Sequence, residues 1–304
     1  MNWRAANGER RAGHHHPRGY VLLAARCTLF ALLAGCATTP SPTVDGIIQR
    51  ERQHGKTIAV AFYDLRSGAT LMRDEHESFH AGSTMKVPVM MAIFEAVSRG
   101  ELRLDQPVRV RNEFTSIYDG TKFSCDPGDD SDPEVYTWIG RDVPLGELVR
   151  HMIDRSSNLA TDNVIELVSA PRIMSIMNRI GAGEVDVLRG VEDEKAYEHG
   201  MNNTTSAYGL MTVFRALPSA PGAKEMLDIL SAQEFNSGIP AGLPPGTHVA
   251  HKTGNLTNFA HDAGIVYRPD GSSYILVVLT RGYAKLEQAN KIIAQISRAI
   301  WKQQ

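Results

Sequence analysis

Residues 79–100 read FHAGSTMKVPVMMAIFEAVSRG. Val87, Met90, Met91, Ile93, Phe94 and Val97 recur at the spacing that lines one face of a helix, so the stretch predicts a helix from about Ser83 to Arg99 with Gly100 as its stop. Pro88 falls near the helix start, where a missing N–H costs least. Ser83 and Lys86 stand three apart at the N-terminal end, which places them on one face, with the unpaired N–H groups of the helix aimed at the serine. A hydroxyl becomes a good nucleophile only when a base takes its proton. An ordinary lysine titrates near ~10.4 and is no base at neutral pH. Burial and a second cation nearby would be needed to free its amine. Alone, Ser-x-x-Lys equally describes a helix N-cap followed by an exposed lysine.

On both sides of the helical region the pattern is β. Residues 57–65 alternate Ile58, Val60 and Phe62 with Ala59, Ala61 and Tyr63; Ser67-Gly68 is a turn, and Thr70 to Met72 begin a partner strand. Near the other end, His248–Thr253 predicts a short strand, and Ala263–Tyr267 and Ser273–Thr280 flank Pro269-Asp270-Gly271, a hairpin signal. A last helix carries Leu286, Ala289, Ile292, Ile293, Ile296 and Ile300 on one stripe. Between these ends the helical segments are Leu145–Asp154, Asn158–Val168, Pro171–Ile180, Ala207–Leu217 and Ala223–Ala232. The fold class expected is α/β (α+β): one antiparallel sheet built from both chain ends and flanked by helices, with an all-α lobe inserted. The α/β lobe takes about 45–105 and 218–304, and the helical lobe about 106–217. Residues 112–141 lack periodicity. Their acidic run (Asp126, Asp129, Asp130, Asp132, Glu134) does not fit the EF-hand spacing and reads as a solvated surface loop. Residues 189–206 read as an irregular loop.

Two more short motifs join the first. Ser156-Ser157-Asn158 precedes an amphipathic helix, and Lys252-Thr253-Gly254 ends a strand. In this order and rough spacing the three sets resemble the class A β-lactamase and penicillin-binding serine hydrolase superfamily. The likeness continues through HDAGIVY (261–267), PDG (269–271) and LVVLTRG (276–282), and covers nearly all of 45–304. It implies that Ser83 attacks a carbonyl and is acylated, and that Lys86 takes or relays its proton. It implies that Ser156 passes a proton to the leaving nitrogen and that Asn158 binds a substrate amide. Lys252 and Thr253 would meet the substrate carboxylate, and Gly254 would let substrate approach the strand edge. The N–H groups of Ser83 and Asn255 would form the oxyanion hole. Three departures stand out. Ser157 occupies the family's aspartate position, and Asp162 its asparagine position. The loop that normally reads Arg-x-Glu-x-x-Leu-Asn is altered, although the Thr-rich turn at 202–206 matches. Glu192 is the candidate deacylating base; the alternative is a loop carboxylate paired with Arg189.

The remaining composition bounds partners and compartment. With 304 residues and a formal net charge of −2, nothing points to nucleic acid. Residues 1–35 carry a basic lead, a short apolar run from Cys27 to Ala34, and Leu33-Ala34-Gly35 before Cys36. That resembles a bacterial lipoprotein signal with Cys36 as the acylated residue, followed by a tether over 36–44. An exported protein follows, periplasmic or membrane-anchored, contacting membrane only through the lipid. The apolar run is too short to span a bilayer. Cys125 would remain as a lone thiol whose acidic neighbours disfavour the thiolate. The histidines form no zinc motif, so neither metal nor cofactor is expected. A monomer acting on a small-molecule β-lactam is the first reading. The second is a related hydrolase of peptidoglycan peptides (DD-peptidase-like) or another amide or ester, and the third a non-catalytic envelope binding protein on the same fold.

Overall fold

The computed structural model describes residues 43–303; the leader, Cys36 and nearly all of the expected tether lie outside the described residues. Thr43 already caps the first helix, its hydroxyl accepting from the Gly46 N–H at 3.1 Å, so α1 (Val44–Gln53) begins where the tether was expected to end. Strands β1 (Thr57–Asp64) and β2 (Thr70–Arg73) join β9 (Val249–Leu256), β10 (Asn258–Tyr267) and β11 (Ser273–Tyr283) in a five-stranded sheet of order β2-β1-β11-β10-β9. All its pairings are antiparallel, so both chain ends build it and β9 is left at one edge.

Strand alternation splits the apolar residues between two cores. Ile58, Val60 and Phe62 pack with α1 and with α9 (Leu286–Gln303) on one face; Ala59 and Ala61 pack on the other. That second core includes α2 (Lys86–Ser98), in which every residue from Lys86 to Ala96 is buried. A helix wrapped on all sides can hold a charged group away from water, which matters below. Around it stand α3 (Leu145–Asp154), α4 (Asn158–Val168), α5 (Ala170–Arg179), α7 (Ala207–Ala216) and α8 (Ala223–Ser231). The turn before α2 is a 3-10 turn over Gly82–Met85, so Ser83 sits on a tighter coil than the α-helix expected there.

Two sequence expectations are corrected. Residues 112–141 are a solvated loop only in part: Asp126, Asp129 and Glu134 are exposed as expected, whereas Asp130 (8% exposed) and Asp132 (2%) turn inward to the N-terminus of α4 and to His151. The segment holds β5 (Phe114–Thr115) paired with β6 (Lys122–Phe123), and lies between β4 (Pro107–Arg109) and its partner β7 (Asp142–Pro144). The 189–206 stretch is not wholly irregular. Asp193 caps the short helix α6 (Glu194–Glu198), and β8 (Thr204–Thr205) pairs with β3 (Phe79–His80), just before the Ser83 turn. Among the described residues no helix is long and apolar enough to cross a membrane.

Candidate active site

The three sequence motifs meet. The Ser83 turn packs against the inner side of β9 so closely that a Cβ on Gly254 would lie 2.9 Å from the Ala81 carbonyl oxygen and 3.1 Å from the Thr84 nitrogen. The missing side chain of Gly254 thus makes room for the nucleophile turn, a demand the sequence reading did not include. A Cβ on Gly82 would lie 3.4 Å from the Asn255 nitrogen, so the Ser83 and Asn255 backbones are neighbours. Ser83 itself is partly exposed.

Behind the turn two lysines converge on one hydroxyl. Lys86 Nζ donates to the Ser156 carbonyl at 2.6 Å, to Asn158 Oδ1 at 3.0 Å and to Ser156 Oγ at 3.3 Å. Lys252 Nζ donates to Ser156 Oγ at 2.9 Å. Ser156 adopts φ 61°, a left-handed conformation uncommon for a residue with a side chain. Both amines are fully buried. Burial pulls the Lys86 amine down to about 8, although the Asp130, Asp162 and Glu192 charges favour its ammonium form. Burial, with the Lys86 charge beside it, draws the Lys252 amine well below the lysine range. These are the conditions under which an amine can serve as a base.

Asn158 bridges the two halves of the site. Its Oδ1 receives Lys86, and its Nδ2 donates to Glu192 Oε1 at 2.9 Å. One amide hydrogen is left over for a substrate contact. The other Glu192 oxygen accepts the Asp126 N–H at 2.7 Å. Glu192 is half-buried, and burial raises its carboxyl above the usual range. The Arg189 pairing considered from sequence does not form. Arg189 instead donates to the carbonyls of Gly190 and Val191 at 2.9 and 2.7 Å, approaches His80 Nε2 at 3.3 Å and covers the Tyr197 ring. Strand alternation turns Thr253 to the face of His251 and Asp262, whose side chains pair at 2.8 Å, away from Lys252.

The profile of the Beta-lactamase enzyme family matches residues 42–304. The chain belongs to that family. Extended-spectrum β-lactamase PER-1 of Pseudomonas aeruginosa is 25% identical over 277 residues, covering 81% of this chain and 82% of the relative. The structure of PBP-A is similar at TM-score 0.70 and 26% identity, covering 87% of this chain and 98% of that one. A β-lactamase from Sphaerobacter thermophilus DSM 20745 shares the fold at TM-score 0.74 and 22% identity, over 86% and 96% of the two chains.

Within this β-lactamase-family site, sequence reasoning missed three groups. Asp130 accepts from the Asn158 N–H and the Leu159 N–H, both at 2.9 Å, and from the Ser157 hydroxyl at 3.2 Å. The Asp126 N–H holds Glu192. His80 accepts the Gly82 N–H at 3.0 Å immediately before Ser83. His80 stands three residues before Ser83, but no short spacing links Asp130 or Asp126 to a motif. The single signal was the aspartate absent at 157, which invited a search for a carboxylate elsewhere.

Proposed function

We propose that this protein is a class A-type serine β-lactamase that opens the cyclic amide through an acyl-enzyme on Ser83. The observation that carries the reading is the Ser156 hydroxyl lying within hydrogen-bonding distance of both Lys86 and Lys252, beside the turn that presents Ser83. In the first half-reaction Ser83 Oγ adds to the β-lactam carbonyl, its proton leaving toward Lys86. The oxyanion forms against the Ser83 and Asn255 N–H groups. Ser156 then protonates the departing ring nitrogen and recovers a proton from the Lys86 ammonium formed in the first step, while Lys252 holds its hydroxyl by donating to it. In the second half-reaction Glu192 takes a proton from water, which hydrolyses the Ser83 ester. Family membership supports the reading, as does a PBP-A mutant solved as an acyl-enzyme complex with penicillin-G, 25% identical to this chain. Export with acylation at Cys36 belongs to the same proposal and is read by intact mass of the membrane-extracted protein.

The test is to mix the full chain with a chromogenic cephalosporin and record absorbance and intact mass together. Sustained turnover is expected. A one-to-one adduct on Ser83 with no turnover would point to a peptidase-like enzyme, and neither signal to a binding protein. Glu192→Gln is expected to slow deacylation by about 10²–10⁴-fold. The Ser83 adduct would then accumulate; wild-type turnover in that variant removes Glu192 from the mechanism.

A further inference from the structure

We propose that Asp130 is the positioning residue that holds the Ser156–Asn158 turn in its reactive shape, supplying from the 112–132 segment the carboxylate that Ser157 does not carry. One oxygen of this buried side chain takes three donors from the turn: the Ser157 hydroxyl and the N–H groups of Asn158 and Leu159. Its other oxygen accepts the Asp132 N–H at 3.0 Å. Asp132 in turn lies 2.5 Å from His151 Nδ1, and the His151 carbonyl accepts the Ser157 N–H at 3.0 Å. The turn is thus gripped on both sides, by a carboxylate at the N-terminus of α4 and by the C-terminal end of α3.

This grip has a chemical consequence. Ser156 sits in a left-handed conformation that a residue with a Cβ leaves when its neighbours let go. Its carbonyl and hydroxyl both receive Lys86, its hydroxyl also receives Lys252, and Asn158 next to it joins Lys86 to Glu192. A relaxed turn would move all of these together. Because the bonds to Asp130 are charge-assisted, they are of the strong kind, and the carboxylate also complements the positive end of the helix. Ser157 already caps α4 by accepting the Ala160 N–H at 3.1 Å. An aspartate there could cap equally well and bring the charge with it.

The inference rests on the acyl-serine reading, so its test carries one arm that does not need β-lactam chemistry. Full-length Asp130→Ala, Ser157→Asp and the double variant are compared with wild type. The single-turnover rate of Ser83 acylation by a chromogenic cephalosporin is measured, together with hydrogen exchange at the Asn158 and Leu159 amides. Asp130→Ala is expected to slow acylation about 10- to 100-fold, matching loss of hydrogen bonds to a charged group, and to expose both amides. Adding Ser157→Asp should restore at least tenfold of the rate and the amide protection. Ser157→Asp alone, placing two carboxylates together, should be slower than wild type. A loop-stabilising role would give no such reversal of sign. Should Asp130→Ala fold poorly, Asp130→Asn keeps the shape, removes the charge and serves in the same comparison. Acylation within threefold of wild type in the Asp130 variant, or a double variant no faster than the single one, overturns the proposal. If wild type itself takes no β-lactam, the functional reading falls, while the exchange arm still decides whether Asp130 holds the turn.

Discussion

Lys86 carries three hydrogen bonds on an amine that burial drives toward neutrality, so its proton makes acylation depend on pH. With its titration lowered from 10.5 to about 8, the neutral fraction grows as pH rises through 8. Acylation should climb from pH 6 and level off above about 9, measured as the single-turnover rate in a buffer series. A rate flat across that range would give the proton to Glu192 instead. Asp162 shows the opposite shift. Burial pushes its carboxyl up from 3.8 to about 7 while it accepts the Val191 N–H at 2.7 Å and faces the Cys125 thiol at 3.6 Å. The folded state holds a proton there between pH 3.8 and 7 that the unfolded chain releases, so stability falls as pH rises through that window and the full penalty applies above it. Asp162→Asn keeps the acceptor and drops the charge. It should stabilise the protein by roughly 1–3 kcal/mol at pH 8 and by almost nothing at pH 4, as melting at both pH values would show. Ser83, Lys86 and Lys252 were legible because short spacings announce them. Asp130 and Asp126 were not, because what they hold lies 27 to 66 residues away along the chain.

The elements show why some segments could be read and others not. α4 and α7 begin where Ser157 and Ser206 cap them, and a local hydroxyl is visible in sequence. The 112–132 segment has local turns at Asp119, Asp126 and Asp130, but its place in the fold comes from what it ties down. The Ile117 N–H donates to Asp193 at 2.9 Å, Lys195 reaches Asp119 at 2.9 Å and Thr121 at 2.7 Å, and the Tyr118 ring stacks on His199. Together with the Asp126 contact, these bonds strap the β5–β6 hairpin across the loop that bears Glu192. On the inner side Gly190 is pressed to Asp162, where a Cβ would come within 2.9 Å of the carboxylate, and the Arg189 guanidinium collects the two following carbonyls. Removing that guanidinium leaves both carbonyls short of a donor and frees the loop at its base. Arg189→Ala should slow deacylation about tenfold or more and acylation less, because the guanidinium holds the Glu192 loop directly but reaches the Ser83 turn only through its 3.3 Å approach to His80. Burst and steady-state phases of a chromogenic cephalosporin reaction separate the two rates. Equal slowing of both would mean that the loop supports the whole cleft.

At the scale of the molecule, the sheet divides stability from chemistry. Ser83, Lys86 and Ser156 belong to the side of the sheet where the helical lobe packs, whereas α1 and α9 cover the opposite face with an apolar layer that includes Ile58, Val60, Ile293 and Ile296. Alternation along β1 made both faces readable from sequence, since each strand residue declares its side. The meeting of three distant motifs was readable only through resemblance, as no local pattern brings Lys252 to Ser156 across 96 residues. This division makes a specific prediction. Ile296 is fully buried in the α9 layer and touches no group of the site. Truncating it should leave a cavity on the far face and cost about 2–5 kcal/mol. The sheet lies between that cavity and the face to which Lys86 and Lys252 belong, so the folded fraction of Ile296→Ala should acylate Ser83 at the wild-type rate and keep the same pH profile. Calorimetry gives the loss, and single-turnover acylation well below the melting temperature gives the rate. A rate that fell in step with stability would show that the outer layer helps set the geometry of the two amines, and that the sheet transmits packing strain into the site.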